Sequence, residues 1–597
     1  MERASGIVDK REWPFLLGLG LMGLVIFFYR LGVPGLMDPD EGRYAEIARE
    51  FFVSGDWLIP HLNLVPYLEK PPLVYWLTAL SFGGLGYSEF AARLPAALSA
   101  LGGILLAYGL GRAMWGPGPA FFSALILATC GGYVALGRVL TLDMTLALFL
   151  NLGVGLGYLA LSRPRPSIWP WAYLALGLGV LTKGPVALVL AGLIWGIWVL
   201  VHPHPNPPPS RGREQKDSSL HPSPPPSRGR EQKEGTSSPP PQPSPLKGEG
   251  VKGSAYLRLG LLYQPRSWLL LGVISLPWFA WVIWRYPEFG RFFFLEQHFG
   301  RYLTAASHPQ PFYYYGPVLL GLMLPWSWLL PWALAKGRGA GQDRVFLLLW
   351  AGVILVFFSL SRGKLAPYIL PALLPLALLL GKGLYGFKEA GLRFFQDRGL
   401  TICLWAWAAV GWGLVALYFR PPELLAPQLA RAAIYGPCVP WSLVVLALTP
   451  TVALICRNLG VLFLGALVLS TLLPLSLERL SAQRSPRQAG RVVKSLWQPG
   501  AALVGVHLYS QGLSFYSGQV FHLLSFRTEL DFGRKLKPDS GFFFSSLAEM
   551  AAFARSRPVV FFFLRAQDLP GFEQWLPGKY RSLARYKDCI LVTYEGK

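Results

Sequence analysis

Charged residues are scarce in this chain: they make up 15% of 597 positions, against about a quarter in an ordinary soluble domain. Together with 53% hydrophobic residues, that deficit excludes a water-soluble globular enzyme. Cysteine is equally sparse. Cys130, Cys403, Cys438, Cys456 and Cys589 are scattered, four of them in or beside apolar stretches, and none forms a metal-type pair. They read as small packed residues. The first apolar stretch has no clear small-x-small cleavage site, so it is expected to be a retained span and not a removable signal.

What the chain does have is long apolar blocks. Trp13–Tyr29, Phe121–Leu136, Met144–Leu161, Trp268–Trp284, Val345–Ser359 and Cys403–Tyr418 are almost uninterrupted and roughly one bilayer long. Only helices satisfy their own backbone over such lengths in lipid. The reading is an α-helical polytopic membrane protein with about thirteen transmembrane helices, by the bilayer-length criterion. They fall near 13–30, 91–111, 119–139, 144–161, 168–182, 185–201, 266–285, 313–333, 345–360, 367–381, 400–419, 437–456 and 459–476.

The formal charge of +23 does not indicate nucleic acid, because the cations lie in short segments between spans. Lys10–Arg11, Arg112, Arg163 with Arg165, Lys336–Arg344, Lys382–Arg398 and Arg457 share one side, which the positive-inside rule makes cytoplasmic. The loop 31–90, the neighbourhood of Asp143, the segments 286–312 and 361–366, and the tail then face outward.

Four regions follow. Residues 1–201 form an N-terminal transmembrane region that includes the outward loop 31–90, and 254–479 form the remaining helices. Between them, 202–253 is a Pro-rich cytoplasmic insert in which His204–Lys216 recurs almost verbatim as His221–Lys233. Its composition cannot bury a core, so disorder is expected. It reads as a tolerated repeat insertion, with a Pro-rich ligand as the alternative. Residues 480–597 read as a soluble α/β domain, with strands at Val504–Tyr509, Val559–Leu564 and Cys589–Tyr594 and an amphipathic helix at Ser546–Arg555. This domain shows no motif readable as chemistry.

The first outward loop is unlike the others. Tyr44, Ile47, Ala48 and Phe51 share one helical face, which predicts an amphipathic helix over 41–52 lying on the membrane surface. Asp40 stands at its start, either as an N-cap or as a partly desolvated carboxylate with a tunable pKa. Glu41 is adjacent but points elsewhere, and Arg43, one turn on, is placed to hold an anion. Tyr67, Glu69 and Lys70 precede two prolines, which suits a fixed site better than a snorkelling anchor. The loop's excess of acids favours a divalent cation or a cationic substrate. Other outward polar groups are Asp143, with a local pair to Arg138 as the structural alternative; Lys183; Glu296, His298 and Arg301; and Lys364 with Tyr368.

The stretches DPDEGRYAEIARE, Y.EKPPL.YW, LTLDM, LTKGP, LEQHFGRYL, PFYYYGP and KLAPYILP together resemble the bacterial aminoarabinose (lipid A) transferases. These are GT-C glycosyltransferases related to the protein O-mannosyltransferases. The resemblance covers about residues 13–380 apart from the insert, and the sheet domain matches in placement and class only. It implies a GT-C fold with an extracytoplasmic, periplasmic C-terminal α/β domain in a bacterial inner membrane. The implied activity is an inverting transfer of a sugar, such as 4-amino-4-deoxy-L-arabinose, from a polyprenyl-phosphate donor to lipid A or another lipid or glycan acceptor. No nucleotide cofactor is used.

Carried over by position, Asp40 and Asp143 are catalytic candidates. Arg43, Tyr67, Lys70, Lys183, Arg301, Lys364 and Tyr368 are candidates for the donor phosphate and substrate, and Glu69 with His298 for a divalent metal such as zinc. Hexose, uronic acid and aminopentose donors all fit this outline. The rival readings are a transporter or flippase of a lipid-linked sugar, a protein O-mannosyltransferase and a membrane scaffold. A transporter predicts paired broken helices, mid-membrane ionisable groups and an internal repeat. The polar groups instead cluster at one surface.

Overall fold

The computed structural model describes residues 10–163, 166–201, 260–300, 308–336, 341–390, 396–422, 438–525, 529–538 and 541–595. The insert 202–253 and Arg301 lie outside them. A helix stands at each of the thirteen expected spans, but their lengths differ. Among the described residues, eight helices are long and apolar enough to cross a membrane: Glu89–Trp115, Leu142–Ser162, Pro265–Arg285, Gln342–Leu360, Ala366–Glu389, Arg398–Phe419, Cys438–Cys456 and Gly460–Arg484. A ninth is added if Phe312–Leu322 and Trp326–Ala335, which meet at 109°, count as one span. Pro325 lies in that bend, and the Leu324 carbonyl there accepts from the Gly131 amide at 2.7 Å. The count therefore departs from thirteen on length. Trp13–Phe28, Pro117–Thr129, Trp169–Lys183 and Val186–Val201 are 13 to 16 residues long. At 1.5 Å per residue they reach roughly 20–24 Å, short of a core about 30 Å thick.

The tail folds around a six-stranded sheet. A short antiparallel hairpin, β1 (His61–Leu62) with β2 (Val65–Pro66), belongs to the first loop. In the tail come β3 (Ala502–Val506), β4 (Phe521–Leu524), β5 (Phe543–Phe544), β6 (Val560–Arg565), β7 (Lys579–Tyr586) and β8 (Cys589–Glu595). The order is β5-β4-β3-β6-β8-β7. The first four strands are parallel, and β8 pairs antiparallel with β6 and β7. The three strands expected from the sequence are β3, β6 and β8; β4, β5 and β7 are additional.

β3 is apolar throughout, and β6 is apolar up to the exposed Arg565 at its end, because both sheet faces are covered. Val504, Phe562, Leu564 and Val592 pack under the helix Leu547–Arg555 through Met550, Ala551 and Ala554. On the opposite face, Leu503, Phe521, Phe561 and Phe563 share one core with Ala45, Ile47, Ala48 and Phe51 of the first loop. The loop helix Asp40–Ser54 is therefore amphipathic as expected, but its apolar face is buried against protein. It packs between the helices Leu73–Leu85 and Gln511–Ser517. Hydropathy alone does not tell a lipid partner from a protein one. Phe51, 1% exposed, is worth about 1.5–3 kcal/mol in this setting.

Candidate active site

The start of the loop helix is held from two directions. Glu41 is 1% exposed and accepts both Nε and Nη2 of the equally buried Arg93, at 2.7 and 2.8 Å. Arg93 spends its remaining donors on the carbonyls of Leu31, Pro34 and Gly35. The same carboxylate accepts from the amides of Met37 and Leu140. One buried pair thus joins the first loop, the span Glu89–Trp115 and the turn that leads to Asp143.

From the other side, the sheet domain grips Asp38. Its carboxylate accepts from Ser510 Oγ at 2.5 Å, the Gly512 amide at 2.9 Å and Tyr586 Oη at 3.4 Å. Burial pushes the Asp38 carboxyl above its ordinary range, and these donors work against that shift. Gly42 and Gly512 permit the approach, because a methyl group at Gly42 would run into the Asp38 carboxylate and the Gly512 amide.

Asp40, held between these anchors, is the first helical residue and its side chain caps nothing. The N-cap expectation is off by one position, and Pro39 stands there instead. The Asp40 side chain is 62% exposed and lies 3.6 Å from Arg43 Nη1. Arg43 Nη2 pairs at 2.7 Å with Glu529, a residue of the sheet domain that is itself hydrogen-bonded by Gln511. Burial opposes the charge of Arg43, but Tyr67, Glu529, Tyr44 and Asp40 more than offset it, so its pKa rises well above the ordinary value. Its Nε and the Tyr75 hydroxyl are buried and have no hydrogen-bond partner among the described residues.

Tyr44 links this group to a second one. The charges of Asp40, Arg43, Asp143 and Glu69 all bear on its hydroxyl, which burial keeps neutral. Asp143 pairs at 2.5 Å with Lys183, whose ammonium sits 4.5 Å above the ring of Tyr368. The charge of Asp40 also reaches Lys183. The alternative of a local Arg138–Asp143 pair does not occur: Arg138 donates instead to the carbonyls of Ile26 and Tyr29. Tyr67 is fully buried beside Glu69, with its hydroxyl 3.5 Å from the carboxylate. Lys70 follows, half-buried, just before the helix Leu73–Leu85.

Two expected residues serve the scaffold. Lys364 is buried and donates to the carbonyls of Gln310, at 3.0 Å, and Ser361, stapling two outward segments together. His298 faces the Phe293 carbonyl at 2.7 Å through Nδ1 and the Lys183 carbonyl at 3.4 Å through Nε2. Gly184 explains the KGP stretch: it adopts φ +83°, and a side chain there would meet the His298 ring. A neutral imidazole carries one proton, so with Nδ1 donating to the Phe293 carbonyl the lone pair stays on Nε2. Among the described residues no group of three or more His, Cys, Asp or Glu could hold a metal.

Sequence reasoning passed over Glu529 and Arg93. An arginine inside an apolar span was a signal for the second. Nothing local marks Glu529.

Comparisons with known proteins bear on the chain as a whole. Residues 69–207 match the family described as dolichyl-phosphate-mannose-protein mannosyltransferase. The chain is 31% identical over 403 residues to the undecaprenyl phosphate-alpha-4-amino-4-deoxy-L-arabinose arabinosyl transferase 2 of Pseudomonas fluorescens (strain Pf0-1). That match covers 66% of this chain and 63% of the relative. The Pectobacterium carotovorum subsp. carotovorum (strain PC1) transferase is 32% identical, over 67% of this chain and 66% of its own length. The chain thus spans a little under two thirds of these relatives. The crystal structure of ArnT from Cupriavidus metallidurans bound to undecaprenyl phosphate superposes with a TM-score of 0.76 at 25% identity, covering 97% of this chain and 98% of that one. The chain thus shares the GT-C fold of that transferase, and the aminoarabinose transferases are the family it is similar to. In the terms of that family, the expected fold of a helical membrane body with a C-terminal sheet domain is the observed one.

Proposed function

We propose that this protein is an inverting glycosyltransferase that moves a sugar from a polyprenyl-phosphate donor to a membrane-associated acceptor at the outer face of a bacterial inner membrane. The observation that carries this reading is the set of paired charges at the outward ends of the helices: Asp40 beside Arg43, Arg43 on Glu529, and Asp143 on Lys183 over the ring of Tyr368. Their position fits a lipid-linked donor whose phosphate stays at the membrane boundary.

The acceptor oxygen attacks the anomeric carbon from the face opposite the phosphate. The carbon–oxygen bond to the phosphate breaks, and its electron pair leaves with polyprenyl phosphate. Arg43, with its unpaired Nε, and Lys70 are the cations suited to stabilise the charge that develops there. With a hydroxyl acceptor, Asp40 takes the proton. With an anionic phosphate acceptor, as on lipid A, no proton need be lost, and Asp40 orients and stabilises charge. Lys183, set by Asp143 over the ring of Tyr368, bounds the sugar side.

The test is to incubate purified protein with extracted polyprenyl-phosphate sugars and lipid A and to weigh the products by mass spectrometry. A pentosamine increment on lipid A that is lost in Asp40→Asn is expected. A hexose increment would change the donor and keep the mechanism, and full turnover by Asp40→Asn would overturn the role of the loop.

A further inference from the structure

We propose a second lipid site, separate from the Tyr44 cluster: a cleft that binds the phosphate headgroup of an anionic membrane lipid. It lies between the end of the span Gly460–Arg484 and the β7–β8 turn, and encloses about 670 Å³. Arg484, Arg585 and Lys587 line it, all three exposed. Among the described residues none of the three forms an ion pair with a carboxylate, whereas the neighbouring Arg30 and Arg487 are taken up by Glu478 and Glu89.

Two further observations point to a lipid. The span that ends at Arg484 has the least buried apolar window of the eight, at 22%, so the cleft stands at the end of a helix that mostly faces lipid. Around it, Arg479, Arg484, Arg487, Arg491 and Lys494 stand against Glu478 alone between 478 and 494. These cations share the side of the first loop, opposite the cation-rich loops, so topology does not account for them.

Arginine forks match phosphate oxygens in pairs, and basic groups at a membrane surface attract anionic lipid. The cleft also touches the loop of the first site. The Asp38 amide donates to the Arg484 carbonyl at 3.3 Å, and the Lys587 ammonium lies 3.5 Å from the Asp38 carbonyl. A bound headgroup would therefore press on the chain two residues before Asp40. The proposal does not depend on which sugar is transferred, or on whether one is.

The test uses the full chain in neutral detergent with phosphatidic acid bearing a diazirine in one acyl chain. Cross-links are mapped by mass spectrometry and affinity is read by native mass spectrometry. Labels are expected on 460–484, with binding about thirtyfold weaker in Arg484→Gln/Arg585→Gln, at about 1 kcal/mol per cation removed. Arg484→Lys/Arg585→Lys should restore binding, which separates lost charge from lost fold. Equal binding of phosphatidylcholine, unchanged affinity in the Gln variant or labels confined to residues 31–90 would overturn the proposal. So would displacement by an equal concentration of inorganic phosphate, which would make the ligand a soluble anion.

Discussion

Asp40 and Glu41 are neighbours in the chain and opposites in the fold. On one side of the helix start, Glu41 and Arg93 form a sealed pair in which every guanidinium donor has a fixed acceptor. On the other, Asp40 is mostly exposed, its contact with Arg43 is 3.6 Å, and Arg43 Nε and Tyr75 Oη are without partners among the described residues. A buried ion pair with all its hydrogen bonds made fixes geometry, while an open cluster with unmet polar groups has capacity left for a ligand. One helical turn carries both.

The sharpest way to break this comparison is at the sealed side. Arg93→Ala leaves a buried carboxylate unpaired and is expected to lower stability by about 3–5 kcal/mol, read as a large drop in melting temperature and folded yield. A melt close to the parent would mean that the pair does not hold the loop. On the open side the effects should separate the other way. Asp40→Asn is expected to lower turnover about a hundredfold or more on a hydroxyl acceptor while leaving the melt unchanged. Equal losses of stability and turnover would erase the distinction.

Glu529→Gln tests whether the sheet domain belongs to the open side. It removes one charged partner of Arg43, and kcat/KM should fall about tenfold, the equivalent of one charge-assisted hydrogen bond. Glu50 tests the sealed side through pH. It is buried, and burial with the nearby Glu46 raises its pKa from 4.5 to about 8, against the amides of Asn63 and Leu64. The folded state therefore holds a proton that the unfolded chain has lost between those values. Stability falls as pH rises from about 4.5 to 8. The melting temperature should decline over that window and flatten in Glu50→Gln. Parallel slopes for parent and variant would remove Glu50 as the source.

Much of this was legible in the residues alone. Apolar block length located every span, and the period of Tyr44, Ile47, Ala48 and Phe51 located the loop helix. The motif stretches named Asp40, Arg43, Asp143, Lys183 and Tyr368, which the fold brings into one cluster. What stayed hidden depended on pairing across the chain. Arg43 meets Glu529, and Asp143 meets Lys183 in place of the nearer Arg138, because packing decides which charges approach. Local pattern also could not show that His298 and Lys364 would spend their polar atoms on backbone carbonyls.

The grip on Asp38 makes the tail a poor candidate for modular exchange. Ser510, Gly512 and Tyr586 close on a residue more than 470 positions earlier, beside the first carboxylate of the site. A hybrid that takes its sheet domain from a relative would have to import the matching first loop as well. The two segments form one inherited unit, although all the membrane helices but the first lie between them in the chain.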